Sequence, residues 1–200
     1  MIRIIGGSLK GRSLSAPSGR ETRPTADRVR EAIFNILAHG IEDFALEDTR
    51  VLDLFAGTGA LGLEALSRGA RFCQFVEESA ETRGLIRRNA DDLGLIGRCK
   101  IWRRDATRLG KAAPQPPYDL VFADPPYGKG MGERALHSLV AGGWLAPGAA
   151  VALEESSDTK IDQPEGLSVI DRRLYGDTQV IFYRHLLPNS LSMSASLSSI

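Results

Sequence analysis

Four consecutive residues near the middle of the chain have types that suit recognition of a planar base. Asp124, Pro125, Pro126 and Tyr127 follow the apolar run 118–123, which predicts a buried strand. Proline fixes its own φ, restricts the residue before it and has no N–H to donate. The Asp124 carboxylate and the Pro125 carbonyl therefore form a stiff ledge of acceptors beside a ring. Such a ledge could accept two hydrogen bonds from an exocyclic amino group; a Pro-Pro turn that only ends a strand is the alternative.

A glycine-rich segment lies between another apolar strand and a helix. Residues 57–62 fit the pattern G-x-G-x-x-G, whose glycines let the backbone approach a ligand at a helix N-terminus. Glu77 ends the next strand, 20 residues after Gly57, where a carboxylate can accept hydrogen bonds from ribose hydroxyls. This half of the chain predicts a nucleoside-containing cofactor, and a glycine-rich turn that binds nothing is the alternative.

Two further acids favour S-adenosylmethionine over a nicotinamide cofactor. Asp53 lies four residues before Gly57, where we expect it to reach an ammonium group, which NAD lacks. Asp105 ends the third strand and is placed to accept from an adenine amino group. A nicotinamide-dependent oxidoreductase remains an alternative, but it leaves the Asp-Pro-Pro-Tyr ledge unexplained.

The elements around these motifs alternate between strand and helix. Apolar runs predict parallel strands at 50–55, 72–77, 99–104, 118–123 and 148–154. Apolar spacing predicts helices at 60–68, 79–92 and 131–141. Residues 167–174 and 178–186 predict an antiparallel hairpin at the end. We therefore expect an α/β fold with a doubly wound, mostly parallel seven-stranded sheet of the Rossmann-like type. Carboxyl ends of adjacent parallel strands form one crevice, so both motifs would face one ligand.

Charge is distributed unevenly along a chain whose net charge is zero. Residues 1–30 hold seven basic residues against two acidic ones, and Arg98, Lys100, Arg103 and Arg104 form a second basic cluster. Such patches can hold phosphates, although an ordinary solvated surface is the alternative. We expect a basic extension over 1–40 (a short hairpin and a helix capped by Thr25), a main domain over 41–187 and a disordered tail over 188–200.

The remaining composition predicts a cytoplasmic protein with reduced thiols. Cys73 and Cys99 lie in apolar stretches without CxxC spacing, so core packing is expected rather than a metal site or a disulfide. The N-terminus lacks the long apolar region of a signal peptide, and no apolar run reaches membrane-spanning length.

Several motifs resemble the bacterial 16S rRNA (guanine(966)-N2)-methyltransferases, which are class I S-adenosylmethionine-dependent enzymes. The resemblance is carried by the Asp-Pro-Pro-Tyr ledge with the glycine loop, and it runs in register from about Arg3 to Tyr183. The more specific segments are 3–7, 11–12, 23–25, 27–31, 34–37, 61–70 and 143–145. The Ser-rich tail and the connection 38–49 depart from the family pattern, which leaves the details of docking open.

The resemblance implies transfer of a methyl group from S-adenosylmethionine to N2 of a guanine, guanine 966 in family terms, in 16S rRNA. The partner would be the small ribosomal subunit or its assembly intermediate, with the protein acting as a monomer. Asp124, Pro125 and Tyr127 would hold the guanine. The expected cofactor residues are Asp53, Phe55, Ala56, Gly57, Thr58, Gly59, Gly62, Glu77, Asp105 and Ala106. The expected RNA contacts are Arg3, Arg12, Arg23, Thr25, Arg28 and Arg30.

Two other functions stay open at this point. Adenine-N6 DNA methyltransferases share the Asp-Pro-Pro-Tyr motif, although no separate target-recognition domain is visible. A non-catalytic RNA-binding assembly factor could retain the same fold, although the intact acids at 53, 77, 105 and 124 argue against it. For Tyr127 we expect the ring to matter and the hydroxyl to be dispensable.

Overall fold

The structure, a computed structural model, describes residues 2–17 and 24–186, with side chains described outside 24–26. The strands in this part of the chain are β1 (Ile2–Arg3), β2 (Ser13–Leu14), β3 (Arg50–Leu54), β4 (Phe72–Val76), β5 (Cys99–Trp102), β6 (Tyr118–Ala123), β7 (Leu145–Ser156), β8 (Leu167–Tyr175) and β9 (Thr178–His185). The α-helices are α1 (Pro24–His39), α2 (Ala60–Ser67), α3 (Ala80–Asp92) and α4 (Met131–Gly142). Short 3-10 turns cover Gly7–Leu9, Ile96–Arg98 and Ala106–Arg108.

A seven-stranded sheet forms the centre of the molecule, in the order β5-β4-β3-β6-β7-β9-β8. Strands β3 to β7 are parallel, whereas β9 runs antiparallel between β7 and β8. The predicted fold class, a mostly parallel doubly wound sheet with an antiparallel C-terminal hairpin, is confirmed. The order reverses at β3, which pairs with β4 on one side and with β6 on the other.

Helices cover both faces of this sheet, which is why its central strands are apolar throughout. The apolar residues of α1, α2 and α3 pack on one face, where the rings of Phe34 and Phe122 lie 5.5 Å apart. Helix α4 and the turn Ala106–Arg108 pack on the other face, against Val121 and Ala123 of β6. Neighbouring residues of β6 thus contribute to two separate cores.

The largest differences from the predicted strand boundaries are in β5 and β7. β5 ends at Trp102, so Arg103 and Arg104 lie beyond it. β7 begins at Leu145 rather than 148, because a bulge inserts extra residues: Tyr118 pairs with Leu145, and Leu120 already pairs with Ala150. Proline and glycine at 147 and 148 hid this start, since both residues usually mark a strand end.

Residues 2–17 dock onto α2 through a buried carboxylate. Glu64 has no exposed surface, and its two oxygens accept from the backbone N–H groups of Ile5 and Gly6 at 2.7 Å each. Arg68 Nε also donates to Glu64 at 2.7 Å. Apolar residues 4 and 14 join the same core as α1 and α2. The N-terminal extension therefore packs against the main sheet; its separate role in RNA contact stays a prediction, and the predicted tail 188–200 lies outside the described residues.

Replacing Glu64 with alanine is expected to lower the free energy of unfolding by about 3–5 kcal/mol, because it leaves buried donors and a cation without their acceptor. Chemical denaturation of both proteins measures the difference. Glu81→Ala, an exposed glutamate on α3, is the matched control and should change stability by less than about 0.5 kcal/mol. Equal losses in the two variants would contradict the anchoring role of Glu64.

Candidate active site

The predicted ledge lies at the carboxyl end of β6. Asp124 and Tyr127 are exposed, whereas Pro125 is buried. Pro125 packs against the first turn of α4, where a Cβ on Gly132 would lie only 3.3 Å from Pro125 Cγ and 2.9 Å from Leu153 Cδ1. Gly132 therefore allows α4 to come close enough to fix the ledge from below. The acceptors of residues 124 and 125 are held by a proline packed between a helix and a strand.

The hydroxyl of Tyr127 has two partners that the sequence did not indicate. It donates to Glu154 Oε1 in a short hydrogen bond and lies 3.2 Å from Thr178 Oγ1. Burial raises the pKa of the Glu154 carboxyl, and burial together with the bond to Glu154 raises the pKa of Tyr127. The ring remains 39% exposed. Its orientation is thus set by β7 and β9, and the expectation that the hydroxyl is dispensable does not fit these contacts.

The segment after Tyr127 is fixed to β7 by a second glutamate of that strand, Glu155. Glu155 has no exposed surface, and its Oε1 accepts from Gly128 N at 3.0 Å and from Ser156 N at 2.9 Å. Consecutive glutamates on β7 point to opposite faces of the sheet. Glu154 holds Tyr127 of the ledge, and Glu155 holds Gly128 directly after it. Sequence reasoning missed both, since register with β6 brings them there.

The glycine loop leaves β3 through a run of unusual backbone angles. Phe55 has a φ of 55°, Gly57 of 54° and Gly59 of 78°, all in the left-handed region. Phe55 is a non-glycine residue in this region, a strain that is frequent at functional sites. A Cβ on Gly57 would meet only Phe55 O, at 3.9 Å, so the space outside Gly57 is open. The backbone at Gly57 can therefore be approached closely by a ligand.

Gly62 and Asp53 have structural contacts beneath this loop. A Cβ on Gly62 would lie 2.4 Å from Phe75 Cε1 and 2.5 Å from Cys73 Sγ, so glycine is required for α2 to pack on β4. Asp53 is 2% exposed, and its Oδ2 accepts from Gly62 N at 2.9 Å. Burial raises the pKa of Asp53 to about 8. The expected contact of Asp53 with an ammonium group stays a prediction, because the observed contact is with the helix.

Glu77 directly follows β4, as predicted, whereas Asp105 lies three residues beyond the end of β5 and begins the turn Ala106–Arg108. Glu77 Oε2 accepts from Gly57 N at 3.0 Å, and its Oε1 accepts from Ser79 N at 2.8 Å. Asp105 Oδ1 accepts from Thr107 N at 2.8 Å and from Thr107 Oγ1 at 2.7 Å, and the side-chain bond lowers the pKa of Asp105. The Glu77 carboxylate therefore ties the glycine loop to β4. Ala106, also expected at the cofactor, is buried in the turn that follows.

Asn89 of α3 connects the glycine loop to the N-terminal residues. It is 1% exposed, and its Nδ2 donates to Thr58 O at 3.0 Å and to Ser15 O at 3.1 Å. Its Oδ1 accepts from Ser15 N at 2.7 Å. Thr58 was expected at the cofactor, and its carbonyl is thus occupied by Asn89. In the sequence, this contact is indicated only by the presence of an asparagine within the segment predicted as α3.

The predicted RNA contacts divide into three groups. Arg3, Arg12 and Arg28 are exposed, and Arg12 Nη2 also donates to Asp92 O at 2.7 Å. Arg30 is 7% exposed, pairs with Asp27 at 3.0 Å and donates to Arg3 O at 2.8 Å. Because Arg30 is buried against backbone and a carboxylate, it does not fit the expected contact with phosphate. Arg23 and the side chain of Thr25 lie outside the described residues. Because α1 begins at Pro24, Thr25 lies within the helix, and the prediction that it caps the helix is wrong.

The two cysteines pack in or against the hydrophobic core. Cys73 and Cys99 are free thiols on neighbouring strands, and burial raises the pKa of Cys99 to about 12. Within residues 2–17 and 24–186, no group of three or more His, Cys, Asp or Glu side chains could hold a metal ion. In the same ranges, no helix is long and apolar enough to cross a membrane.

Comparison with known proteins places the chain in a family. The sequence model of the protein family described as conserved hypothetical protein 95 matches residues 2–184. The chain belongs to this family. YlbH of Bacillus subtilis is 36% identical over 92% of the chain and 98% of its own length. Ribosomal RNA small subunit methyltransferase D of Escherichia coli K12 is 39% identical over 76% of the chain and 74% of its own length.

A solved structure of another similar protein agrees with this assignment. The Escherichia coli protein yhhF superposes with a TM-score of 0.78 and 34% identity, covering 92% of the chain and 98% of yhhF. The family of conserved hypothetical protein 95 thus accounts for the chain from the N-terminal extension to β9. The family relationship that the sequence motifs predicted is confirmed.

The buried Asp53 should make folding depend on pH. Its pKa is about 8 in the folded protein and near its ordinary value when unfolded, so the folded state alone keeps the proton between about pH 4 and pH 8. Over this window the free energy of unfolding should fall with rising pH by about 1.4 kcal/mol per unit more in the wild type than in Asp53→Asn. Denaturant titrations at several pH values measure both slopes; parallel slopes would contradict a protonated Asp53.

Proposed function

We propose that the protein transfers a methyl group from S-adenosylmethionine to the exocyclic N2 of a guanine in 16S rRNA, guanine 966 by resemblance of its motifs to the family named above. The observation that carries this proposal is the Asp-Pro-Pro-Tyr ledge, fixed at the end of β6 next to the glycine loop at the end of β3. Family membership supports it, because related proteins are named as small-subunit rRNA methyltransferases. The substrate form would be the small subunit or its assembly intermediate.

The residues at the glycine loop fit the proposed cofactor. Open space at Gly57 admits a ligand close to the backbone, and Glu77 lies hydrogen-bonded to Gly57 N, beside that space. A ribose there would meet a carboxylate whose position is already fixed by two backbone N–H groups. Asp105 lies three residues beyond the next strand, β5, on the side expected for adenine. Asp53 supports the loop from beneath through Gly62.

The chain's own residues would act mainly by positioning and electrostatics. When bound, S-adenosylmethionine supplies an electrophilic methyl group. The lone pair of guanine N2 is delocalised into the ring, which makes it a poor nucleophile. Asp124 and the Pro125 carbonyl would accept hydrogen bonds from the two N–H groups of N2. The nitrogen can then become tetrahedral and turn its lone pair toward the methyl group. The carboxylate would also stabilise positive charge that develops on nitrogen.

Tyr127 would hold the base after it leaves its stack. Unstacking a base costs a few kcal/mol, and stacking on an aromatic ring contributes about 1–3 kcal/mol. The ring of Tyr127 has one edge tied to Glu154 and Thr178 and remains 39% exposed. A ring fixed in this way loses little further freedom when a base binds it. The exposed arginines 3, 12 and 28 would contact the surrounding phosphates.

The proposed reaction is tested with S-adenosylmethionine labelled on its methyl group. The protein is incubated with undermethylated small ribosomal subunits, the RNA is digested, and the labelled nucleoside is identified by mass spectrometry. Label in N2-methylguanosine is the expected result. Transfer to adenine-N6 of DNA would replace the proposal with a DNA methyltransferase. Cofactor binding without transfer to any nucleic acid would replace it with a non-catalytic role.

Asp124→Ala is expected to abolish detectable methyl transfer while the affinity for S-adenosylmethionine stays within about twofold, because the ledge contacts only the target base. Single-turnover assays and calorimetric titration measure the two quantities. Asp158→Ala, a surface acid in the loop after β7, is the matched control. Near-normal turnover of Asp124→Ala would rule out the acceptor role.

Tyr127→Phe is expected to lower kcat/KM by about tenfold, because it removes the bonds that orient the ring toward the base. Tyr127→Ala should lose more, since it also removes the stacking surface. Steady-state assays on the small subunit compare the three proteins. If the phenylalanine variant keeps wild-type kcat/KM, the hydroxyl contacts contribute nothing to the reaction.

A further inference from the structure

Four cations form an exposed group on the face of the sheet opposite to α1. Arg104 lies just before the turn Ala106–Arg108, and Arg108 ends this turn. Lys129 lies just before α4, and Arg134 lies in its first turn. All four are exposed. Leu109 N donates to Ser138 Oγ of α4 at 2.7 Å, which joins the turn to the helix. We call Arg104, Arg108, Lys129 and Arg134 the α4-side basic surface.

The guanidinium groups of Arg104 and Arg134 are held by backbone carbonyls. Arg104 Nη1 donates to Leu109 O at 2.6 Å, and Arg134 Nη1 donates to Lys129 O at 3.2 Å. Both partners are backbone carbonyls, which orient a guanidinium without cancelling its charge. Within the described part of the chain, the ion pairs involve arginines 30, 68, 71 and 173 and none of these four cations. The surface therefore presents oriented positive charge to solvent.

Two of these arginines lie at the rim of the cofactor crevice. The largest cause of the lowered pKa of Asp105 is the bond from Thr107, and Arg108 and Arg134 lower it further through their charge. The geometry supports this position: Arg108 N donates to Asp105 O at 3.0 Å, and Leu109 N joins the turn to Ser138 of α4, the helix that carries Arg134. The ledge ends β6, and α4 follows it directly. The surface thus borders the site on the side of α4.

The basic N-terminal extension borders the site from the other side. Helix α1 packs on the face with Phe122, whereas α4 and the turn pack on the face with Val121 and Ala123. Asn89 bonds to both Ser15 and Thr58, so the N-terminal extension, which carries the exposed Arg3, Arg12 and Arg28, reaches the glycine loop on the face opposite to α4. A target base inserted at Asp124 would have its flanking backbone on both faces, within reach of either group.

We propose that Arg104, Arg108, Lys129 and Arg134 bind RNA phosphates, as a second contact surface on the face opposite to the N-terminal extension. The proposal rests on the proposed function for the identity of the polyanion. Single-stranded RNA carries one phosphate per nucleotide, and each cation that binds one releases a counterion. The two surfaces together would bind the phosphates on both sides of the flipped base and so hold the strand while that base is unstacked.

The test is the salt dependence of RNA binding by Arg108→Gln/Arg134→Gln. Fluorescence anisotropy with a labelled single-stranded RNA of mixed sequence gives the dissociation constant at several KCl concentrations. The slope of log affinity against log salt should become shallower by about 1.4, since each phosphate contact on a single strand contributes about 0.7. Arg172→Gln/Arg173→Gln, on β8 at the opposite edge of the sheet, is the matched control and should keep the wild-type slope.

Two results would overturn the proposal. One is a slope equal to that of the wild type. The other is a loss of S-adenosylmethionine affinity in calorimetry, which would assign Arg108 and Arg134 to the cofactor site instead. Binding is measured without turnover, so the outcome is separate from the labelling experiment. A shallower slope in a protein that methylates no guanine would support the surface and reject the proposed reaction; methylation with an unchanged slope would do the reverse.

Discussion

The whole site depends on the pairing of β3 with β4 on one side and β6 on the other. At this point the strand order reverses, and connections leave the sheet toward opposite faces. The glycine loop follows β3 and the ledge follows β6, so pairing through Leu54 and Ala123 brings two segments about 70 residues apart in sequence to adjacent strand ends. Parallel pairing requires burial on both faces, which explains the uninterrupted apolar runs.

Carboxylates fix the geometry around this point by accepting backbone N–H groups. Asp53 holds the start of α2 through Gly62, and Glu77 holds the glycine loop through Gly57. Glu155 holds the loop after the ledge through Gly128. Glu77 and Glu155 thereby restrain two loop segments that have no regular structure of their own, whereas Asp53 restrains the first turn of α2. The crevice is thereby organised before any ligand binds.

Buried polar side chains also attach the N-terminal extension to the rest of the molecule. Glu64 accepts from two N–H groups of the extension, and Asn89 bonds to both Ser15 and Thr58. The extension and the glycine loop therefore contact the same buried side chain, that of Asn89. Together with the α4-side basic surface, this arrangement gives the crevice a positively charged border on both faces of the sheet. A neutral net charge hides this distribution, because acids elsewhere in the chain offset it.

The sequence by itself determined the fold class and the location of both motifs. Glycine at 57 and 59 and proline at 125 have few compatible backbone conformations, so their spacing predicts local structure reliably. Apolar runs at β3, β4 and β6 predict buried parallel strands for the same reason: periodicity is a local property. The strand limits of β7 were less predictable, since a bulge depends on the partner strand.

Only the tertiary structure decided which polar side chains meet. Arg30 is of a residue type that commonly contacts RNA phosphates, but packing buries it against Asp27 and the Arg3 carbonyl. Tyr127 was expected to act through its ring alone, yet β7 and β9 bring Glu154 and Thr178 to its hydroxyl. These partners are 27 and 51 residues away in sequence. Contacts at such separation depend on strand register, and no local pattern in the sequence encodes it.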